Sequence, residues 1–99
     1  MATISVIWDP DEAPEGNVQH IAEHDLTKDD VEEVLDKHYA DYFISREWPH
    51  NPITFGATST GRYIGVVFEI IDDKEPRVRP ITAFDAPPPA RRKKGKRRS

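Results

Sequence analysis

The sequence contains no cysteine, which excludes a disulfide framework, a thiolate nucleophile and every thiolate-ligated metal site. It also has no long apolar run, because the longest, from Tyr63 to Ile71, is interrupted by Gly65 and Glu69. A run of that length suits a buried strand, so we expect neither a membrane span nor a signal peptide. The lack of thiols fits a reducing cytoplasm, where we expect the protein to reside.

The chain also lacks a glycine-rich phosphate loop and a nucleophile elbow, so we expect no nucleotide cofactor. His20, Glu23 and His24 match the H-x-x-E-H spacing of one class of zinc proteases. Those enzymes need a further ligand and a substrate chamber that 99 residues can hardly supply. We therefore expect no metal and no cofactor of any kind.

Charge is divided unevenly along the chain. The first 86 residues carry 18 acidic and seven basic residues, a net charge of −11, and the remainder carries +7. An acidic body repels phosphates, so the folded part is not expected to bind nucleic acids broadly. The cations of the tail are either a solubilising appendage or a nucleic-acid contact, and they are Arg91, Arg92, Lys93, Lys94, Lys96, Arg97 and Arg98.

The domain is expected to occupy residues 1–86. Pro87, Pro88 and Pro89 follow it, and a run of prolines continues neither a helix nor a sheet ladder. Beyond this run no apolar residue is larger than alanine, so nothing there can be buried. We expect residues 87–99 to form a proline-rich and then basic disordered tail.

Hydrophobic periodicity predicts an α+β domain. We expect a first strand over residues 3–8, a helix capped by Asn17 over 17–25, and a helix capped by Thr27 over 27–39. Four further strands are expected over residues 42–48, 53–57, 63–71 and 77–84. This order places two N-terminal helices on one side of an antiparallel β-meander. Pro80 predicts an edge or a bulge in the last strand.

Core positions follow from the same periods. Val31, Val34 and Leu35 share one face of the second helix, and Val66 and Phe68 are expected beneath it. Trp8 and Phe84 are also expected to pack in the core, since Phe84 has the strand parity of Val78.

Several segments carry a family resemblance. They are Ile7-Trp8-Asp9, Asn17 to His24, Leu26-Thr27, Val31 to Leu35, Phe55 to Tyr63, Val66 to Phe68, and Pro80 to Ala83. In this order they resemble the BrnT-like toxins of the RelE/ParE superfamily, from type II toxin–antitoxin systems. The resemblance implies a RelE-like fold, metal-independent endoribonuclease activity on mRNA, and a cognate antitoxin protein as partner.

The chain departs from the family pattern at three places. Phe84-Asp85 stands where a basic pair is usual, Asp25 stands where glycine is usual, and the proline run replaces a C-terminal helix. The first departure bears on phosphate binding. The alternative function is therefore a catalytically degenerate toxin-fold domain that acts as a protein- or RNA-binding module.

We assign candidate roles to three catalytic residues. An imidazole suits removal of a 2′-hydroxyl proton, which favours His24, and the Arg62 guanidinium suits bidentate phosphate binding. Arg46, Arg77 or Arg79 would have to replace the absent basic pair, and Arg79 is the third catalytic candidate. The expected substrate contacts are Arg46, Thr58, Ser59, Thr60, Arg77 and His20.

Each assignment has a plainer alternative. The two histidines suit an ordinary helix surface, and Arg62 suits a common hairpin turn, where it would add little stability. In a chain this acidic, Arg46, Arg77 and Arg79 can instead pair with carboxylates.

Overall fold

A computed structural model describes residues 4–88. The elements in chain order are β1 (Ser5–Val6), α1 (Asn17–Ala22), α2 (Lys28–His38), a 3-10 turn (Tyr39–Asp41), β2 (Ile53–Ala57), β3 (Tyr63–Asp72) and β4 (Arg77–Asp85). The strands form one sheet in the order β1-β4-β3-β2, and the predicted α+β class is confirmed. The basic tail predicted to follow Pro87 lies, from residue 89 onward, outside the described residues.

The sheet is mixed, so the prediction of a purely antiparallel meander is wrong. β2, β3 and β4 are antiparallel neighbours, but β1 lies parallel to β4, with Ser5 opposite Arg77 and Val6 opposite Val78. Parallel pairing needs a long connection, and here it includes both helices and two further strands. Within residues 4–88 no helix is long and apolar enough to cross a membrane.

The strand predicted over residues 42–48 is also wrong. Only Phe43 pairs with the sheet, through an isolated antiparallel bridge to Ile53. Tyr42 instead packs edge-on against Phe68, with ring centroids 5.9 Å apart. The Trp48 amide N–H donates to Ser45 Oγ over 3.1 Å, which turns the chain into a loop. The segment is therefore a loop with one bridge to β2 and does not form a strand.

The second helix forms as its sequence predicts. Thr27 Oγ1 accepts from the Asp30 amide at 3.2 Å, and the Asp30 carboxylate accepts from the Thr27 amide at 3.1 Å. This capping box satisfies two N-terminal donors. The buried face of α2 packs on the sheet, and the predicted core is confirmed by a cluster that includes Val31, Val34, Leu35, Val66, Phe68 and Val78.

The first helix differs from the prediction at both ends. Gly16 is the N-cap, and Asn17 is the first helical residue, so Asn17 does not cap the helix. The helix ends at Ala22, earlier than predicted, and turns follow to Asp25, which has a φ of 60°. That left-handed conformation is tolerated by aspartate better than by most residues, but it suits glycine best.

A bulge in β4 changes which side chains face the helices. Phe68 pairs with Pro80 and Val67 pairs with Thr82, which leaves Ile81 as an extra residue. The predicted irregularity at Pro80 is confirmed. Because one extra residue reverses the strand parity, Phe84 faces away from α2 and packs on Phe55, and its predicted place in the core is wrong.

The face of the sheet opposite α2 carries a row of aromatic rings. Phe55 lies 6.0 Å from Phe43, 6.1 Å from Tyr63 and 6.4 Å from Phe84, measured between ring centroids. Gly65 lies beneath them, and a Cβ there would come within 2.7 Å of the Phe55 ring. The rings therefore close over β3 because residue 65 has no side chain.

Candidate functional site

Arg62 is the last residue of the hairpin turn at residues 58–62, and its guanidinium is already bound. Nε donates to Asp85 Oδ1 at 3.0 Å and Nη2 donates to Oδ2 at 2.6 Å, which is bidentate pairing. The remaining bonds go to the carbonyl oxygens of His24 and Asp25, just after α1. Arg62 thus connects β4 to the end of α1, and four of its five N–H groups have acceptors.

The turn itself is held by groups that were predicted to bind phosphate. Thr58 Oγ1 accepts from the Arg62 amide at 3.2 Å and lies 2.8 Å from Thr60 Oγ1. The Ser59 amide donates to Glu33 Oε1 at 2.9 Å. This bond and the neighbouring Lys37 lower the pKa of the Glu33 carboxyl. The backbone donor and the guanidinium of the turn are therefore both bound to carboxylates of the same chain.

Arg79 is paired as well. Its Nη2 donates to Asp9 Oδ2 over 2.8 Å, and the same oxygen accepts from the Asn17 amide at 2.9 Å. The Asn17 side chain returns a bond, with Oδ1 accepting from the Asp9 amide at 2.9 Å. The carboxylate-pairing alternative is confirmed for Arg79. This network fixes the start of α1 against β4.

Arg46 and Arg77 are placed differently. Both are exposed, Arg46 in the loop before β2 and Arg77 at the start of β4. Within residues 4–88 neither forms an ion pair within 4 Å. Backbone hydrogen bonds from Lys74 and Glu75 lower the pKa of the Asp72 carboxyl, and the charge of Arg77 lowers it to a smaller extent. The structure does not bring either arginine into the cleft described next.

The two histidines share a cleft of about 510 Å³ between α1 and the bulged part of β4, which we call the histidine cleft. Aromatic, aliphatic and polar side chains line it, and they are His20, Glu23, His24, Trp48, Ile81, Thr82 and Phe84. His20 lies in α1 and His24 lies in the turns that follow it, and both side chains line the cleft. Nδ1 of His20 lies 3.4 Å from the Ile81 carbonyl oxygen, and a proton there leaves Nε2 as the basic nitrogen.

Metal binding has no support in the described part of the chain. No group of three or more histidine, aspartate or glutamate side chains in residues 4–88 is placed to hold a metal ion. His20, Glu23 and His24 line the same cleft, but they do not form such a group.

We predict that Asp85→Asn lowers the melting temperature at neutral pH, because Arg62 then loses its bidentate partner. Hydrogen bonding from Arg62 lowers the pKa of the Asp85 carboxyl in the folded protein. Stability from a lowered carboxyl pKa is present above the unfolded pKa and is lost as pH falls through the folded pKa. The difference between the two proteins should therefore shrink in acid, as thermal melts from neutral to acidic pH would show.

Glu47→Gln is the matched control for this variant, since Glu47 is exposed and lies in the loop before β2. It should melt like the parent protein throughout the pH range. Equal melting temperatures for the parent and Asp85→Asn at neutral pH would show that Arg62 is only a surface arginine.

The partners of the arginines are what sequence reasoning missed. Asp85 was noted only as a departure from the family pattern, and Asp9, Asn17 and Glu33 were given no role in the site. One signal was present, because Arg62 stands just before one predicted strand and Asp85 just after the next, with opposite charges. No protein-family model, no curated protein and no solved structure matches this chain.

Proposed function

We propose that this chain is a toxin-fold domain that binds a partner protein and has lost ribonuclease activity. The observation that carries the proposal is the state of the 58–62 turn, where Asp85 and Glu33 bind the groups that would otherwise hold a phosphate. The partner implied by the family resemblance is an antitoxin encoded by the neighbouring gene.

Electrostatics supports the loss of catalysis. Cleavage of an RNA phosphodiester builds extra negative charge, which enzymes stabilise with preorganised donors and cations. Here Arg62 is bound to Asp85 and Arg79 is bound to Asp9. The first 86 residues carry a net charge of −11, so a phosphate approaching the folded part is repelled.

An exposed apolar segment supports protein binding. Tyr42, Phe43 and Ile44 are consecutive, and they are 41%, 48% and 56% exposed. They lie beside β2, which is an edge strand of the sheet. Consecutive exposed apolar side chains at a sheet edge are typical of surfaces that another protein covers.

The test uses the full chain with the purified product of the adjacent open reading frame. We expect binding, no growth arrest on induction, and intact mRNA with and without ribosomes. Phe43→Ala with Ile44→Ser should weaken binding about tenfold or more, as loss of central apolar contacts does. Ile71→Ser is the control, since Ile71 is 45% exposed at the end of β3. No binding, or equal weakening by both variants, would overturn the proposal.

A second function, metal-independent ribonuclease activity, is favoured by the histidine cleft. Trp48 and Phe84 offer rings on which a base can stack, and two imidazoles can serve as base and acid. This function predicts RNA fragments with cyclic or 3′-phosphate ends in the presence of a chelator. His20→Ala with His24→Ala should then abolish cleavage, and that result would replace the binding-only proposal.

A further inference from the structure

A groove of about 500 Å³ runs between β1 and α2 and shares no lining residue with the histidine cleft. Ile4 and Val6 form its half-buried apolar floor, and its wall is a row of carboxylates on α2: Asp29, Glu32, Glu33 and Asp36. We call it the acidic groove. β1 pairs only with β4, so its outer edge has no strand partner within the described part of the chain.

The carboxylates of the acidic groove are only partly neutralised. Glu33 pairs with Lys37 over 3.1 Å, and Glu32 accepts from the Trp8 indole N–H at 2.7 Å. Asp29 and Asp36 are exposed, and neither has an ion-pair partner among residues 4–88. The groove therefore combines uncompensated negative charge, an apolar floor and an open strand edge.

We propose that the acidic groove is the docking site of the chain's own basic tail, residues 91–98, with the last cations of the tail among the carboxylates. Seven cations in eight residues complement the row of carboxylates. Lysine and arginine lay their methylene stems along apolar surface while their charged ends stay at the rim, which suits the floor of Ile4 and Val6. This inference does not depend on the function proposed above.

The length of the chain allows this contact. The tail leaves β4 after Asp85, and β1 pairs with the opposite end of β4, at Arg77 and Val78. Eight residues of strand span about 27 Å. Residues 89–98, when extended, reach about 33 Å from Pro88. The last cations of the tail can therefore reach the groove within one molecule.

Docking would control what the tail can bind. A tail held by the groove is neutralised by its own body and is not free to contact phosphates. Raising the ionic strength would release it, because exposed charge pairs are screened within about 10 Å at 0.1 M salt.

The experiment is limited trypsin digestion of the full chain, since trypsin cuts after lysine and arginine, with loss of the tail followed by intact mass. At low salt we expect slow cleavage, and about 0.5 M salt should accelerate it severalfold through screening. Asp29→Asn with Asp36→Asn should give about a fivefold acceleration at low salt, by removing the two free carboxylates. Glu12→Gln with Glu15→Gln makes the same charge change in an exposed loop and should leave the rate unchanged.

Thermal melts check that each variant is folded. If the double variant unfolds, Asp36→Asn alone replaces it in the digestion, because this single change leaves the first turn of α2 intact. Equal cleavage rates for the groove variants and the loop control would overturn the proposal. A rate for the parent protein that slows with protein concentration would overturn it too, since the tail would then bind a second copy.

Discussion

Phe68→Ala is expected to lose about 3–5 kcal/mol of the free energy of unfolding, the usual cost of truncating a buried phenylalanine. Phe68 is fully buried at the centre of β3, between the apolar face of α2 and the ring of Tyr42. Its ring centroid also lies 5.8 Å from that of Tyr39. Removal of the ring leaves a cavity that the fixed backbones of the helix and the sheet cannot close. Urea denaturation with an unchanged m-value would measure the loss.

Ile71→Ala is the control for this prediction, because Ile71 lies on the same strand and is 45% exposed. Its cost should stay within about 0.5 kcal/mol. A loss below about 1 kcal/mol for Phe68→Ala would mean that β3 does not form the centre of the core.

Asn17→Ala is expected to cost about 3 kcal/mol, because it leaves several buried backbone groups without partners. Asn17 is 2% exposed. Its Nδ2 donates to the Ile7 carbonyl at 3.1 Å and to the Pro80 carbonyl at 3.0 Å, and its Oδ1 accepts from Asp9. These bonds connect the end of β1, the start of α1 and the bulge of β4. Thermal and urea unfolding would both report the loss.

Asn17→Asp sharpens this prediction because the shape of the side chain is kept. A carboxylate oxygen would then face two carbonyl oxygens and lie near Asp9, so the cost should be at least as large as for alanine. Gln19→Ala, on the exposed side of α1, should cost no more than about 0.5 kcal/mol. If Asn17→Ala were as mild as Gln19→Ala, water would be reaching this network.

The site shows the limits of sequence reasoning most clearly at its arginines. The sequence placed Arg62 after a hairpin turn, which is correct, but it identified no partner for the guanidinium. That partner, Asp85, lies 23 residues further along the chain, and the partner of Arg79, Asp9, lies 70 residues away. Spacing along a chain does not by itself identify contacts of this kind. Which charges meet is decided by the register of the strands.

Local signals determined the elements whose contacts are between residues close together in the sequence. The capping box at Thr27 and the apolar stripe of α2 depend on residues within one or two turns of each other, so sequence alone placed them correctly. The same holds for β2, β3 and β4, whose turns and apolar patterns are local. Only the tertiary structure decided that β1 lies parallel to β4, and that Phe84 faces away from α2 after the bulge at Ile81. Both outcomes are set by pairing between strands that are distant in the sequence. β1 has only two residues and therefore no hydrophobic pattern of its own, and the extra residue in β4 reverses the direction of every side chain that follows it.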